Sequence, residues 1–406
     1  MVPGDERSEM QIAIGIDVAK EFHWVAAIDD RGGELFSRRV DNEPAAIDSF
    51  VDELERLQRD HGGLTVGIDV VGGIASLVTA MLLEAGLQVV HVPGLAVNRA
   101  RQGTTGGEHK SDPRDARVIG DQVRTRGDLR TIEQTGDVDV ELRLLVGRRR
   151  ELVTDQTRRI GRLRDLLASI HPGLERIVEP TQKASLVLLS RFVTPQEIRR
   201  AGHSRLVSHA LKAGHLPRPA VERLAEQALA AAKAQQTTLP GERLAADLVR
   251  ELAQEALAVR ARLSRLDAEL EETLARHPDA ALIRSLPGMG ATLTAEFIAE
   301  AGSITRFPTP DQLAAAAGLA PILKQSGKVR YLRRANGGNK ALKRVLYQSA
   351  FCSLQHPASR AFYSRKRREG KRHHQAVIAL ARRRVDVLHA LLRTRQPYRL
   401  DHTKAA

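Results

Sequence analysis

The sequence predicts an α/β plus α fold: an N-terminal mixed sheet with helices, then long coiled-coil helices and a mainly helical C-terminal domain. Short β-branched runs alternate with helical spacing in the first third of the chain, and two later stretches repeat apolar residues about every 3.5 positions. A chain of 406 residues fits two or three domains at about 150 residues each. We place the domains at residues 11–130, 141–277 and 278–395.

The first domain begins with three strands and continues with alternating helices and strands. "QIAIGIDVAK" is an apolar strand that ends near Asp17, and "FHWVAAIDDRGGELFSRRV" contains two strands joined by a turn at residues 29–33. The next elements are a helix in "PAAIDSFVDELERLQ", a strand in "LTVGIDVVGG", a helix in "IASLVTAMLLEAG", a strand in "LQVVHVPG" and a helix opened by "SDPRDA". This order predicts a mixed sheet covered by helices.

Two long amphipathic helices are predicted next, from Glu141 to about Ile170 and over residues 252–270. Arg149 and Gln156 are polar interruptions of the first apolar stripe. Such helices pair either within one chain, as an antiparallel stalk, or between chains. The segment between them, residues 171–240, has the composition of a small helical insert.

The last domain opens with a glycine-containing turn between two helices, in "ALIRSLPGMGATLTAEFIAEAG". This turn is either a helix-hairpin-helix, whose backbone amides hold a phosphate, or an ordinary connection between packed helices.

Charge indicates a polyanionic partner. Lys and Arg number 63 against 49 Asp and Glu, a formal net charge of +14. The excess is concentrated near the C-terminus, where residues 321–384 hold 18 basic side chains and one acidic side chain, whereas residues 11–100 hold 7 basic and 14 acidic ones. Nucleic acid is the expected partner, bound mainly through phosphates because aromatic residues make up only 3% of the chain.

The single cysteine, Cys352, excludes an internal disulfide and a multi-cysteine zinc cluster. No apolar run approaches the roughly 20 residues that span a bilayer. We therefore expect a cytoplasmic protein without membrane association.

Four aspartates form a candidate metal site. Asp17 and Asp69 lie at the ends of predicted strands, and each follows the word "GID"; Asp112 and Asp115 are three residues apart on one helix. Converging carboxylates suit Mg²⁺, with Mn²⁺ as the alternative, and two such ions roughly 4 Å apart assist phosphodiester cleavage. Glu21, Asp29 and Asp121 are additional candidates.

Each aspartate also has a structural interpretation. Asp112 before Pro113 is a good helix cap, and Asp115 in the first turn suits the helix dipole. Asp69 precedes a pair of glycines and fits a turn.

Ser326 is a candidate nucleophile with cations on both sides. A serine that attacks a phosphodiester needs an exposed hydroxyl and nearby positive charge, although Ser-Gly in a polar stretch is ordinarily a turn. The cations in this segment are Lys324, Lys328, Arg330, Arg333 and Arg334.

Two further basic segments are expected to contact nucleic acid. "NGGNKALKR" offers glycine backbone together with Lys340, Lys343 and Arg344, and "YSRKRREGKRHH" contains Arg365, Lys366, Arg367 and Arg368. A solvated helix face is the alternative for the second segment.

Taken together, these sequence motifs resemble those of the DEDD transposases of the insertion-sequence one-hundred-ten family. The similarity runs through "GIDVAK", "GIDVVGG", "KSDPRDA" and the series "LPGMG...RFPTPDQLAAAAGLAPILKQSG...NGGNKALKRVL", and so covers nearly the whole chain. The resemblance implies a RuvC-like, ribonuclease H-type N-terminal domain in which Asp17, Asp69, Asp112 and Asp115 bind Mg²⁺. It also implies a C-terminal transposase domain in which Ser326 forms a covalent phosphoserine intermediate with DNA.

The resemblance has further implications for assembly. It implies a prokaryotic protein whose coiled coil mediates a dimer that assembles to a tetramer, with active sites composed from different protomers. It also implies a structured bridge RNA that pairs with donor and target DNA. The chain departs from the family at its second acid, where the usual glutamate of a word like "GIEATGG" is Asp69 in "GIDVVGG".

Two other functions fit the residues alone. One is a RuvC-like junction nuclease in which metal-activated water attacks DNA and Ser326 is only a turn residue. The other is a nucleic-acid-binding assembly protein without catalysis.

Overall fold

A computed structural model of the chain describes residues 10–103, 111–327, 329–333 and 335–399. The chain divides between Thr135 and Gly136 into two units, each with its own buried apolar core.

The N-terminal unit contains a six-stranded mixed sheet. Its strands are β1 (Met10–Asp17), β2 (Phe22–Ile28), β3 (Glu34–Asp41), β4 (Gly62–Ile68), β5 (Gln88–His91) and β6 (Arg130–Thr131), in the order β3-β2-β1-β4-β5-β6. The β1–β4 and β4–β5 pairs are parallel, and the other pairs are antiparallel. The predicted mixed sheet is therefore confirmed.

Helices cover both faces of this sheet. They are α1 (Pro44–His61), α2 (Ser76–Glu84), α3 (Gly94–Gln102) and α4 (Asp112–Thr125), with a short 3₁₀ turn at Gly73–Ala75. Ile12, Ile14 and Ile16 of β1 belong to the same apolar core as α1 and α2. Because side chains alternate along a strand, the residues between them lie on the opposite face, where Gly15 contacts α4. The sequence prediction lacked α3 and β6. Of the residues in α3 only Val97 is buried, so the helix has almost no apolar period to detect.

The C-terminal unit is built around two 34-residue helices, α5 (Asp137–Ile170) and α10 (Glu242–Ala275). They run antiparallel, because Arg149 bonds Asp267 while Arg159, farther along α5, bonds Glu255 nearer the start of α10, each at 2.7 Å. Gln156 donates to the carbonyl of Ala256 at 3.2 Å. Both polar interruptions of the α5 stripe, Arg149 and Gln156, are thus satisfied by the facing helix.

Four helices connect this pair and form the predicted helical insert: α6 (Pro172–Glu175), α7 (Lys183–Leu189), α8 (Pro195–Lys212) and α9 (Arg218–Ala234). They share a core with the distal half of α5 and the first half of α10.

The remaining elements pack at the opposite end of the helix pair. They are α11 (Ala280–Arg284), α12 (Ala291–Ala301), α13 (Pro310–Ala316), β7 (Ile322–Ser326), β8 (Val329–Arg333), α14 (Lys340–Cys352), α15 (Pro357–Arg368) and α16 (His373–Thr394), with 3₁₀ turns at Ile304–Arg306 and Ser353–Gln355. Apart from the β7–β8 hairpin this region is helical, and no helix within the described ranges is long and apolar enough to cross a membrane.

The glycine turn between α11 and α12 is packed inside this unit. Gly288 has a φ of +84°, and a Cβ added there would lie 2.6 Å from the Ser349 carbonyl oxygen of α14. Only glycine fits this close approach, which favours a packing role for the turn.

Candidate active site

Two neighbouring strands bring Asp17 and Asp69 to one edge of the sheet. Strands β1 and β4 are parallel and adjacent, and their register pairs Ile16 with Ile68. Asp17 ends β1 and Asp69 directly follows β4, so the two carboxylates occupy equivalent positions. The repeated word "GID" therefore marks neighbouring strand ends.

The glycines of the two "GID" words allow α4 to lie directly on this part of the sheet. Gly15 and Gly67 pair in register. A Cβ on Gly15 would lie 1.9 Å from the Ala116 carbonyl oxygen, and a Cβ on Gly67 would lie 2.3 Å from Val123, both in α4. Because side chains alternate along a strand, the aspartates two positions after the glycines belong to the same face as α4.

Asp115 is the buried carboxylate of α4 and lies one residue before Ala116. It is 5% exposed. Arg101, in α3, donates from Nη1 to both carboxylate oxygens at 2.8 and 2.9 Å, and its Nη2 donates to Asn98 at 2.9 Å. Arg101 was not among the predicted site residues, since α3 was not predicted and a single arginine in "NRARQ" carries no signal of its partner.

Asp69 is half-buried, and one of its carboxylate oxygens has no hydrogen-bond partner among the described residues. Its Oδ1 is buried and accepts no hydrogen bond from the described residues. Burial raises the pKa of Asp69, and the negative charge of Asp115 raises it further. Hydrogen bonds from backbone N–H groups, including that of Val18, and the charge of His91 oppose this increase in pKa. Asp69 and Asp115 are therefore close enough to influence each other, and no described residue donates a hydrogen bond to the Oδ1 of Asp69.

Asp112 lies one turn before Asp115, at the first position of α4. The cap position belongs to Ser111, whose side chain makes no capping hydrogen bond. The structural interpretation of Asp112 as the cap residue is therefore wrong by one position. Asp112 remains half-exposed beside the buried Asp115.

Within the part of the chain that the structure describes, no group of three or more His, Cys, Asp or Glu side chains is arranged around a single point as a metal shell. Two of the additional candidates have other roles. Asp29 accepts from the backbone of Arg31 and Gly33, and Asp121 bonds Arg124. The edge formed by Asp17, Asp69, Asp112 and Asp115 is hereafter the carboxylate edge.

Ser326 lies at the tip of an exposed hairpin in the C-terminal unit. It is the last residue of β7, it pairs with Val329 of β8, and Gly327 follows it with a φ of +53°. All described residues of both strands are exposed. The hydroxyl is accordingly accessible, as a nucleophile requires.

Strand alternation divides the hairpin cations between its two faces. Lys324 is two residues before Ser326, and Arg333 pairs with Ile322, so both share the face of Ser326. Arg330 pairs with Gln325 and belongs to the opposite face. Lys328 and Arg334 lie outside the described residues.

The cations of α14 differ in their partners. Lys343 donates to the carbonyl of Gly318 at 2.7 Å, and Arg344 lies 2.8 Å from the buried carboxylate of Glu296. Lys340 begins the helix at an exposed position. Two of the three therefore have partners inside the unit.

The cations of α15 form a basic turn at its C-terminal end, in which Lys366 is half-buried and the arginines are exposed. Arg365 and Lys366 lie near Glu369, at 3.9 and 2.7 Å, and Arg367 donates to the carbonyl of Lys371 at 3.0 Å. Arg368 is exposed as well.

Two transposase family models match the segments that contain the carboxylate edge and the Ser326 hairpin. Residues 14–172 match a family model described as "Transposase", and residues 280–364 match one described as "Transposase IS116/IS110/IS902 family". The first segment contains the carboxylate edge, and the second contains the Ser326 hairpin.

Full-length relatives show the same affiliation. The uncharacterized 42 kDa protein of insertion element IS900 from Mycobacterium paratuberculosis is 40% identical over 97% of this chain and 98% of its own length. The uncharacterized 44.8 kDa protein of insertion element IS116 from Streptomyces clavuligerus is 39% identical over 95% of this chain and 96% of its own length. Among solved structures, Thermus thermophilus RuvC covers 30% of this chain and 100% of its own at 14% identity, with a TM-score of 0.24. The resemblance found in the sequence is confirmed: this chain belongs to the IS116/IS110/IS902 family of transposases and is a DNA transposase.

Proposed function

We propose that this transposase cuts and rejoins DNA strands through a covalent Ser326–DNA intermediate, with Mg²⁺ held at the carboxylate edge and a structured bridge RNA selecting the DNA. Asp17, Asp69, Asp112 and Asp115 are the proposed metal ligands, and Mn²⁺ is the alternative ion. Residues 11–130 are the proposed RuvC-like catalytic domain, residues 141–277 the coiled-coil assembly domain, and residues 278–395 the serine-bearing domain.

The observation that supports the metal proposal most directly is the buried Oδ1 of Asp69, to which no residue in the described ranges donates a hydrogen bond. A buried carboxylate oxygen without a donor is costly, and a cation at this position removes that cost. The surrounding acidic donors are oxygens, which Mg²⁺ and Mn²⁺ prefer. When bound, the ion supplies positive charge that stabilises the phosphate as it reacts.

Arg101 neutralises part of the negative charge at the carboxylate edge, and the bound ion would neutralise the rest. Its guanidinium balances the charge of Asp115, whereas the described part of the chain offers no comparable donor to the Oδ1 of Asp69. Arg101 holds Asp115 in place while Asp69 keeps an oxygen for the ion. Its bond to Asn98 fixes the guanidinium from the other side.

Ser326 performs the covalent step in this proposal. Its Oγ loses a proton and forms a bond to the scissile phosphorus, while the bond from phosphorus to the leaving deoxyribose oxygen breaks and that oxygen takes up a proton. Lys324 lies two residues from Ser326 on the same face and would stabilise the negative phosphate during this exchange. Arg333, on that face at the other end of the hairpin, would contact the flanking DNA backbone. In the second half of the reaction a deoxyribose hydroxyl replaces Ser326 and restores a DNA phosphodiester.

The remaining basic surface would bind the DNA and RNA backbones. Its proposed members are Arg330, Lys340, Lys343, Arg344, Arg365, Lys366, Arg367 and Arg368, with Lys328 and Arg334 outside the described residues. A net charge of +14 supports this role. The reaction would take place in a prokaryotic cytoplasm, where the DNA is located.

Self-association would use the outer faces of the long helices. Leu144 and Val153 of α5 and Leu244 and Leu248 of α10 are exposed apolar residues that the internal pairing leaves uncovered. A second copy would bury them, consistent with a dimer that assembles to a tetramer.

The experiment is a denaturing gel of the protein incubated with element-end DNA, Mg²⁺ and RNA transcribed from the sequence flanking the gene. We expect a DNA-shifted protein band with the wild type and with Ser204→Ala, an exposed serine in α8, and none with Ser326→Ala. Adducts that persist in Ser326→Ala contradict the serine role. Free cleaved DNA ends without any adduct would indicate attack by activated water. Adducts that form without the RNA would contradict the proposed role of the bridge RNA as a guide.

A further inference from the structure

The C-terminal unit contains a large cavity that neither the carboxylate edge nor the Ser326 hairpin uses. It has a volume of about 870 Å³ and lies among α15, α16 and residues 396–399. Leu380, Val387 and Leu391 of α16 form its apolar floor, and Phe362 and Tyr398 contribute aromatic rings. We call it the C-terminal cavity. Its size and lining suit a ligand with a flat apolar body.

Three arginines line the same cavity without a carboxylate partner. Arg383, Arg384 and Arg399 make no ion pair with any residue in the described ranges, and no described Asp or Glu lines the cavity. Nearby arginines differ, because Arg382 pairs with Asp311 and Asp386, and Arg395 pairs with Asp279. The lining of the cavity therefore contains three arginine cations and, among the described residues, no carboxylate to balance them.

Arg384 shows this deficit most clearly, because it is only 5% exposed. Its Nε and Nη2 donate to the Ser349 hydroxyl at 3.1 and 2.6 Å, and Nη2 donates to the Pro287 carbonyl at 2.6 Å. All of these acceptors are neutral. Burial lowers the pKa of Arg384 to about 10. A buried cation that has only neutral partners is stabilised by an anion in the adjoining space.

A helix terminus adds to the positive potential. Helix α15, 12 residues long, begins at Pro357, and no side chain caps its first turn. Pro357, Ala358 and Ser359 of this turn line the cavity. Unsatisfied N–H groups at a helix N-terminus attract phosphate.

We propose that the C-terminal cavity binds one unstacked nucleotide of a single-stranded nucleic acid. The phosphate contacts Arg383, Arg384 and Arg399, and the base packs against the apolar floor and Tyr398. A nucleotide matches both features of the cavity, because its base is flat and largely apolar and its phosphate is anionic. The choice of a nucleotide over another amphipathic anion rests on the proposed function, which already brings RNA and DNA strands to this unit. The cavity would anchor one strand by a flipped base, without reading a long sequence.

Photo-cross-linking of the full-length protein tests this assignment. The probes are short single-stranded RNA and DNA oligonucleotides of the same sequence, each with one 5-iodouracil, a base that cross-links to adjacent aromatic side chains. We expect a cross-linked peptide that contains Phe362 or Tyr398, and the reactive probe identifies RNA or DNA as the source. Absence of such a peptide with both probes overturns the proposal.

Matched variants provide a quantitative test. Ala390→Trp fills the cavity from an exposed position of α16, and Arg383→Gln removes one of its cations. Each is expected to weaken binding of the reactive oligonucleotide by about tenfold, the effect typical of losing one stacked base or phosphate contact. Arg393→Gln makes the same charge change on α16 outside the cavity and should leave the affinity nearly unchanged.

Unchanged affinity in Ala390→Trp and Arg383→Gln would overturn the proposal, as would an equal loss in Arg393→Gln. The denaturing gel separates this inference from the proposed function. Serine-dependent adducts without the cross-link would refute the cavity proposal alone. The cross-link without adducts would refute the strand-transfer mechanism and leave the cavity proposal standing.

Discussion

At the scale of single residues, the contact between Arg101 and Asp115 has the clearest energetic consequence. Both side chains are largely buried, and the guanidinium engages both carboxylate oxygens. Arg101→Gln leaves Asp115 buried without its cation, and we expect it to lower the free energy of unfolding of the N-terminal unit by about 3 kcal/mol. Urea denaturation of the metal-free protein measures this change.

The double variant Arg101→Gln/Asp115→Asn is the control for that prediction. Removing both charges should recover most of the lost stability, because neither member of the ion pair is then left buried without the other. A double variant as unstable as Arg101→Gln alone would mean that the arginine stabilises the unit through other contacts.

The pKa of Asp69 gives a prediction about pH. Because burial raises this pKa above its ordinary value of 3.8, the folded chain binds more protons than the unfolded chain between the two values. Stability therefore falls as pH rises through that interval, and ionised Asp69 destabilises the metal-free chain at neutral pH. We expect Asp69→Asn to raise the thermal unfolding temperature at neutral pH and to lose this advantage below pH 3.8.

The matched control is Asp128→Asn, because Asp128 is fully exposed and bonds Arg126. It should give no stabilisation at neutral pH. A neutral-pH destabilisation by Asp69→Asn would contradict the assignment of Asp69 as a carboxylate whose ionised form is disfavoured by burial.

The sequence allowed some of these residues to be identified and concealed others. Asp17 and Asp69 follow from the rule that strand ends collect functional side chains, and their shared "GID" word is visible in the sequence. Arg101 could not be predicted, because its importance comes from a contact with Asp115 across 14 positions of the chain.

At the scale of elements, the glycine contact between α4 and the sheet controls the position of Asp115. Gly15→Ala would place a methyl group 1.9 Å from the Ala116 carbonyl oxygen, so α4 must move. We expect a loss of about 1–3 kcal/mol in stability, as for other overpacked sites. Faster hydrogen exchange in α4 should accompany this loss.

Gly127→Ala adds the same methyl group in the same unit, at an exposed glycine with open space around it. It should change stability by no more than about 0.5 kcal/mol. Equal effects of the two variants would show that helix α4 is not supported by the Gly15 contact.

Element prediction succeeded where apolar periodicity was strong. Strands β1 and β2 and helices α1 and α5 all bury several apolar side chains, whereas β3 buries only Val40. The β7–β8 hairpin was not predicted, because its described residues are all exposed and show no alternation between apolar and polar positions. Its Ser-Gly turn was recognisable, but the strands on either side were not.

At the scale of the whole molecule, positive charge should dominate nucleic-acid binding. With a net charge of +14, the affinity should fall steeply as salt rises. We expect Arg368→Gln to reduce the slope of log affinity against log salt by about 0.9, the contribution of one phosphate contact. Fluorescence anisotropy over a salt series measures the slope.

Arg344→Gln is the informative comparison for that series. The Arg344 guanidinium lies beside the buried carboxylate of Glu296. Arg344→Gln should therefore lower the thermal unfolding temperature more than Arg368→Gln does, and it should reduce the salt slope less. The opposite ranking of the two variants would show that Arg344 contributes more to phosphate binding than Arg368 does.

The central claim is that the carboxylate edge and Ser326 act in one reaction. The most direct measurement is mass spectrometry of the protease-digested protein after incubation with element-end DNA, Mg²⁺ and RNA. We predict a nucleotide phosphoester on the peptide containing Ser326 in the wild type, and its absence in Asp69→Asn and Asp115→Asn proteins that remain folded. An unmodified Ser326 peptide alongside cleaved DNA, or modification that persists in both carboxylate variants, would contradict the account.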